Sequence, residues 1–369
     1  MHINIILIPF IIILGLVLKD NRKNRLLYVI LVSAILVFVA AMRHPEFMED
    51  TYGIDTLNYK MMFLGSFDTG WNEIWSLARQ RYIELELDSD IGYLIFNKIL
   101  SLITRDFHIF SLIADLVVFV PLCVILNRYC TSMRQLIFAF VLYIALIQVF
   151  FWGGARQIFA MGFDLMALIA IIDKRRLLMV VFLLIGITLH FSSILFIIPL
   201  LMIWLHFSPR ILKIIHIVCF LIFPIVYFNP NEIIAFMGTV LGMEKYANYG
   251  KGAIVGGADT FVFLIELLSL FCLIAIKRKD MQSDVKKRIF YVFLPLFTLF
   301  APLINSNGSM IRISLYYYIF LMLLVPYGID CMFDNKSQKF AYFVAIGALS
   351  LLTLSGGGVS YYFYWQQIH

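Results

Sequence analysis

Apolar runs of roughly 14 to 20 residues recur along this chain, near residues 3–18, 26–42, 107–126, 136–152, 157–172, 177–190, 192–207, 214–229, 259–276, 289–305, 312–329 and 340–356. Hydrocarbon offers a backbone no hydrogen-bond partner, so such runs cross a bilayer as helices of about 20 residues. The composition agrees. The chain is 62% hydrophobic and 14% charged, whereas a soluble domain carries about a quarter charged residues. We therefore expect an all-α polytopic membrane protein, one domain over residues 1–369, with about twelve transmembrane helices and no large soluble part. Several runs are short, which predicts helices that are tilted, broken or re-entrant.

Basic loops set the orientation. Lys19/Arg22/Lys23/Arg25, Arg128/Arg134, Lys174/Arg175/Arg176, Arg210/Lys213, the Lys277–Arg288 cluster and Lys336/Lys339 all fall on one side of the predicted spans. They hold 19 of the 29 Lys and Arg residues. The first apolar run has its basic flank afterwards and no A-x-A cleavage site, so it reads as a retained helix. Residues 91–105, IGYLIFNKILSLITR, are also apolar. If they spanned, every later basic loop would invert, so they are expected to lie as an interfacial or re-entrant helix on the outer face. Two large outer loops follow from this topology, residues 43–106 and 230–258. The first carries eleven acids and six basic residues.

Several chemistries fit poorly. The net charge of +6 reflects cytoplasmic loops, and nothing resembles a nucleic-acid-reading surface. The five cysteines lie in spans or inner loops, with no CxxC pair and no clustered His/Cys set, so neither disulfides nor a metal site is expected. GxSxG, P-loop and HExxH motifs are missing from the sequence.

Three arginines oppose the inside-positive trend. Arg43, Arg156 and Arg312 sit at outer span ends, two of them beside Gly or polar breaks, in GGARQ and NSNGSMIR. Arginine at membrane depth is expensive and tends to be paired or functional. It can also snorkel to headgroups or pair with the acidic loop. Guanidinium forks match phosphate oxygens bidentately, and each charge-assisted bond is worth roughly 1.5–3 kcal/mol. Two or three of them can hold a lipid diphosphate. In ITLHFSSILF, His190, Ser192 and Ser193 fall at an outer break. A histidine there either moves a proton or caps a helix junction. Asp55 in GIDTLNY and Asp90 in SDIGY are candidates for a base, a hydroxyl ligand or an arginine partner. Asp164 and Glu266 lie within spans and are either functional or paired to a neighbouring helix.

These segments together resemble the EpsG family. RHPEFMEDTYGIDTLNY resembles an extended R-x-x-x-G-x-D-x-x-x-Y element, ending at Tyr59. SDIGYLIFNKIL is similar to an E-x-G-[FY] segment, with Asp90 in the place of Glu. GGARQIFAMGF resembles [SG]-x-R-Q-x-[IL]-A. LHFSS and NGSMIRISLYYYIF resemble the family's later His-Ser and Arg-Tyr segments. The order and spacing agree over roughly residues 40–330.

The resemblance implies a Wzy-like polymerase of O-antigen, capsule or exopolysaccharide, with a fold related to C-type glycosyltransferases. Such an enzyme joins oligosaccharide repeat units carried on undecaprenyl diphosphate, at the outer face of the bacterial inner membrane. It implies as functional residues Arg43, Asp55, Tyr59, Asp90, Arg156, Gln157, His190, Ser193 and Arg312. In the expected mechanism Arg156 and Arg312 hold the diphosphate, Arg43 helps, and His190 or Asp55 deprotonates the acceptor hydroxyl. No cofactor or metal is required, because arginine supplies the positive charge. The expected partners are the lipid-linked oligosaccharides, membrane lipids and a chain-length regulator. A lipid-linked oligosaccharide flippase and an O-antigen ligase are the alternatives. A flippase needs charges through the membrane, whereas the unusual charges here gather at one face.

Overall fold

A computed structural model describes residues 3–44, 54–84, 90–240, 259–306, 310–355 and 361–366. The EFMEDTY insertion, the side chain of Asp55 and residues 241–258 of the second expected outer loop lie outside the described residues. Every regular element among the described residues is a helix.

Among the described residues seven helices are long and apolar enough to cross a membrane: Arg22–Ala41, Phe107–Tyr129, Met133–Gly153, Ala155–Ile172, Pro209–Phe228, Val285–Asn305 and Asn335–Leu354. Ile311–Tyr318 and Leu321–Met332 meet at a 48° bend and make an eighth if they form one span. The runs Asn4–Val17, Arg176–Leu189 and Phe191–Trp204 are shorter apolar helices. Fourteen residues of helix reach about 21 Å, less than the roughly 30 Å hydrocarbon core. The chain is an all-helical, multi-pass membrane protein.

Two compact units divide it. The first takes Met1–Ile197 and Ile346–His369. Its helices are α1 (Asn4–Val17), α2 (Arg22–Ala41), α3 (Ile54–Gly65), α4 (Trp71–Arg79), α5 (Ile91–Ser101), α6 (Phe107–Tyr129), α7 (Met133–Leu142), α8 (Gln148–Gly153), α9 (Ala155–Ile172) and α10 (Arg176–Leu189). A 3-10 segment, Phe191–Phe196, follows α10. Short polar side chains start the long helices by accepting otherwise unpaired first-turn N–H groups. Asn21 accepts from Asn24 at 2.9 Å, Asp106 from His108 at 2.7 Å and Ser132 from Gln135 at 3.3 Å.

Residues 43–106, expected as a loop with one apolar helix, hold α3, α4 and α5. Aromatic residues at helical spacing explain this. Tyr59 and Phe63 on α3 share a face and pack with Tyr93 and Leu100 of α5 and Phe107 and Phe110 of α6. The Phe63 and Phe110 rings lie 4.6 Å apart. At eleven residues, α5 is about 16 Å long, too short to cross alone. The chain's last described stretch returns to α2: His44 N–H donates to Tyr362 O at 2.8 Å, and Tyr361 Oη to Val39 O at 2.7 Å.

The second unit takes Ile198–Ala345. It holds most of α11 (Ile197–Trp204), α12 (Pro209–Phe228), α13 (Pro230–Val240), α14 (Asp259–Ala275), α15 (Arg278–Ser283), α16 (Val285–Tyr291), α17 (Leu294–Phe300), α18 (Ile311–Tyr318), α19 (Leu321–Met332) and the start of α20 (Asn335–Ser355). A chain of neutral polar groups runs through its interior. His216 Nδ1 is hydrogen-bonded to Tyr291 Oη, and its Nε2 to Ser269 Oγ, both at 2.7 Å. Ser269 Oγ is in turn 2.7 Å from Thr298 Oγ1. Glu266, singled out in the sequence as an intramembrane acid, is buried one turn before Ser269 on α14.

This chain ties α12, α14, α16 and α17 where water cannot replace a lost partner. His216→Leu takes away the Tyr291 hydroxyl's bond to the ring, at a cost of about 1–3 kcal/mol, and leaves Ser269 with its bond to Thr298. Thermal unfolding of the purified protein in detergent should show a clear fall in melting temperature. An unchanged melt would mean that these bonds do not brace the unit.

Candidate functional site

Three expected residues meet at one carboxylate. Asp90 is the residue before α5, Arg156 the second residue of α9, and His190 the residue after α10. Asp90 Oδ2 accepts from Arg156 Nη1 at 3.1 Å and lies 3.0 Å from His190 Nδ1. Its Oδ1 accepts the Phe191 backbone N–H at 3.2 Å. The three side chains keep 16%, 26% and 15% of their surface exposed, in the order Asp90, Arg156, His190. The cluster is therefore part-buried but open to a ligand.

Local sequence explains each position. Gly154 (φ −125°, ψ 45°) breaks the chain between α8 and α9, so Arg156 leaves from the first turn of a new helix. His190 is extended (φ −156°, ψ 116°). It ends α10 by donating its N–H to Gly186 O at 2.9 Å and turns its ring away from the helix. Gly92 lets α5 come down onto α10. A Cβ there would sit 2.5 Å from Thr188 Oγ1 and 2.6 Å from the Thr188 carbonyl carbon.

Burial by itself would raise the Asp90 carboxyl. The hydrogen bond from His190, the charges of His190 and Arg156 and the Phe191 N–H outweigh that and hold it below its usual value. It is an anion, and an anionic carboxylate can only accept. The proton facing it is therefore on His190 Nδ1, so Nε2 is the nitrogen that can exchange a proton with a ligand. A carboxylate that orients an imidazole in this way is the arrangement of a general base.

Tyr59 and Tyr93 form the floor. The Arg156 guanidinium carbon lies 5.6 Å over the Tyr59 ring, and Tyr59 meets Tyr93 edge-on at 5.8 Å. Burial raises the Tyr59 hydroxyl against the lowering effect of Arg156, so it is a neutral group beside the guanidinium. Arg81, on the π-helical turn Gln80–Glu84, lies 5.8 Å over the Phe191 ring. Sequence reading did not single out Arg81, because the acidic stretch around it reads as a solvated face.

Ser193, Gln157 and Arg43 are buried. Ser193 was expected to touch substrate, but it is fully buried. Its Oγ donates to Asp164 Oδ1 at 2.7 Å. It ties the 3-10 segment to α9, and Gly186 leaves the space for this pair. Asp164 is thus the intramembrane acid paired to a neighbouring segment. Gln157 is buried. Arg43 is also buried and donates to Ala40 O at 2.8 Å, to Thr56 Oγ1 at 3.3 Å and to Trp152 O. It clamps the end of α2 to α3 and to the last turn of α8, just before the Gly154 break. Arg312 is the second residue of α18, in the second unit. Among the described residues no group of three His, Cys, Asp or Glu side chains is arranged to hold a metal ion.

The lowered Asp90 carboxyl gives a signed pH prediction. The contribution of the clamp is present above the unfolded carboxyl's value, about 3.9, and fades as pH falls through the lower folded value. Wild type should melt above Asp90→Asn at neutral pH, and the gap should close below about pH 4. Melting temperatures measured across that range decide it. A gap that persists in acid means the charge is not what binds the three segments.

A model of the EpsG family matches residues 47–362. No curated protein and no solved structure matches the chain. The chain belongs to the EpsG family, which fits a glycosyltransferase-like polymerase of polysaccharide biosynthesis.

Proposed function

We propose that this member of the EpsG family polymerises oligosaccharide repeat units carried on undecaprenyl diphosphate. In this reading the chain crosses the bacterial inner membrane about twelve times, and the Asp90 cluster faces the periplasm or outside. The observation that carries the proposal is the shared carboxylate. Asp90 holds a histidine base and a guanidinium on one oxygen-bearing group, at a part-exposed junction of three helix ends.

The mechanism follows from those groups. The acceptor repeat unit presents a sugar hydroxyl to His190 Nε2, which takes its proton. The hydroxyl oxygen bonds to the anomeric carbon of the donor's lipid-proximal sugar. The bond from that carbon to the diphosphate oxygen breaks, and undecaprenyl diphosphate leaves with the electron pair. Asp90 stabilises the imidazolium that forms. Arg156, with Arg81 over the neighbouring Phe191 ring, offsets the charge that grows on the leaving diphosphate. Tyr59 keeps the guanidinium in place from below. Arg43 and Ser193 are positioning residues, one behind the Gly154 break and the other beneath the His190 turn. Arg312 is proposed as an anion ligand of the second unit. Chain length is set with a partner protein.

A surface-polysaccharide gel tests the reading. A strain lacking the gene should carry single repeat units only, and the wild-type gene should restore the ladder. Arg156→Ala and His190→Ala, inserted at wild-type levels, should each leave at least a hundredfold less polymer, the usual scale for loss of a general base or of a donor to a developing anion. Full ladders from both variants would remove the cluster from the chemistry. A deletion with no repeat units at the surface would assign the protein to export or ligation instead.

A further inference from the structure

The first unit has a second feature at the end opposite the Asp90 cluster. α9 carries Arg156 on its first turn, and its far end is closed by Asp173, which accepts from Arg128 Nη1 at 2.7 Å. Arg128 lines a cavity of about 710 Å³ between α2 and α6, within the roughly 300–1,000 Å³ range of ligand pockets. The walls fall into two zones. Arg22, Arg25 and Arg128 stand at one end, and residues such as Ile30, Val37 and Val120 continue it as an apolar trough. The polar side chains within the trough, Cys123 and Ser33, bond to each other, with Sγ donating to Oγ at 3.0 Å.

These zones define the occupant. Arg22 to Val37 is about 22 Å of helix, longer than one leaflet's share of a core about 30 Å thick. A hydrocarbon chain fits walls of that kind. At the mouth, Asp20 pairs with Arg25 at 3.0 Å and Asp173 pairs with Arg128. Three arginines less two aspartates leave one positive charge, and Arg22 is exposed to carry it. One phosphodiester matches that charge.

We infer that this cavity binds one acidic glycerophospholipid, with its phosphate at Arg22, Arg25 and Arg128 and an acyl chain along the α2–α6 trough. Basic pockets between transmembrane helices recognise lipid headgroups in this manner. The site lies away from the sugar chemistry and does not depend on it.

Native mass spectrometry of the full-length protein, released from mild detergent, tests the inference. Phosphatidylglycerol, phosphatidylethanolamine and undecaprenyl phosphate are each added separately. One phosphatidylglycerol should be retained in preference to the zwitterionic lipid. Arg22→Ala should weaken that retention about five-fold, as loss of one near-surface arginine does. Ala34→Trp fills the trough from an exposed lining position and should weaken it as well. Circular dichroism should match wild type for both variants. Equal retention of the two phospholipids, or unchanged retention in both variants, overturns the inference. Preference for undecaprenyl phosphate also overturns it and gives the cavity to the carrier lipid.

Discussion

One half-sunk carboxylate decides the geometry of the first unit. Moving a carboxylate out of water is costly unless donors replace the water. Asp90 receives donors from three places: the guanidinium of Arg156, the ring of His190 and the backbone of Phe191. Each sits at a helix end, so the contact fixes where α5 begins, where α9 begins and where α10 stops. Removing the carboxylate would leave a guanidinium and an imidazole facing each other across the vacated site. Gly92 belongs to the same constraint, because only a residue without a side chain lets α5 settle this close to the Thr188 backbone.

Much of this was legible in the sequence, and the reasons for the rest are specific. Long apolar runs specify helices because hydrocarbon permits little else. Run length alone does not say whether a helix crosses by itself, and the segments around His190 are the case in point. Asp90, Arg156 and His190 each stood out as a charged or titratable residue at the edge of an apolar run. Their convergence did not, since the partners of Asp90 lie 66 and 100 positions away. Ser193 reads as a neighbour of His190, but the tight 3-10 turn sends its hydroxyl inward to Asp164. Arg43 reads as an outward guanidinium because nothing in the sequence announces the carbonyls that receive it. α5 was expected as an outer-face helix, whereas α3 and α4 were obscured because their aromatic positions lie in a stretch that reads as an acidic loop. His216 gave no signal, since a histidine within a long apolar run breaks no visible pattern.

The two units handle polar groups in an apolar setting differently. In the first, full charges collect at helix termini, where unpaired backbone groups are already present and solvent is near. In the second, a histidine, a tyrosine, a serine and a threonine form a chain of hydrogen bonds between apolar helices. A neutral chain can satisfy itself inside hydrocarbon without a counter-ion. The charged cluster lies part-exposed at helix ends, and that leaves it reachable by a charged ligand.

Arg156 and His190 share a single oxygen of Asp90, and the sharing has a thermodynamic consequence. An anion that draws the guanidinium aside frees that oxygen for the imidazole. By reciprocity, whatever tightens the imidazole on the carboxylate must favour the anion to the same degree. In the proposed function, occupancy by a phosphate and orientation of the histidine would be two readings of one equilibrium, and an empty site would hold its histidine less firmly than a filled one.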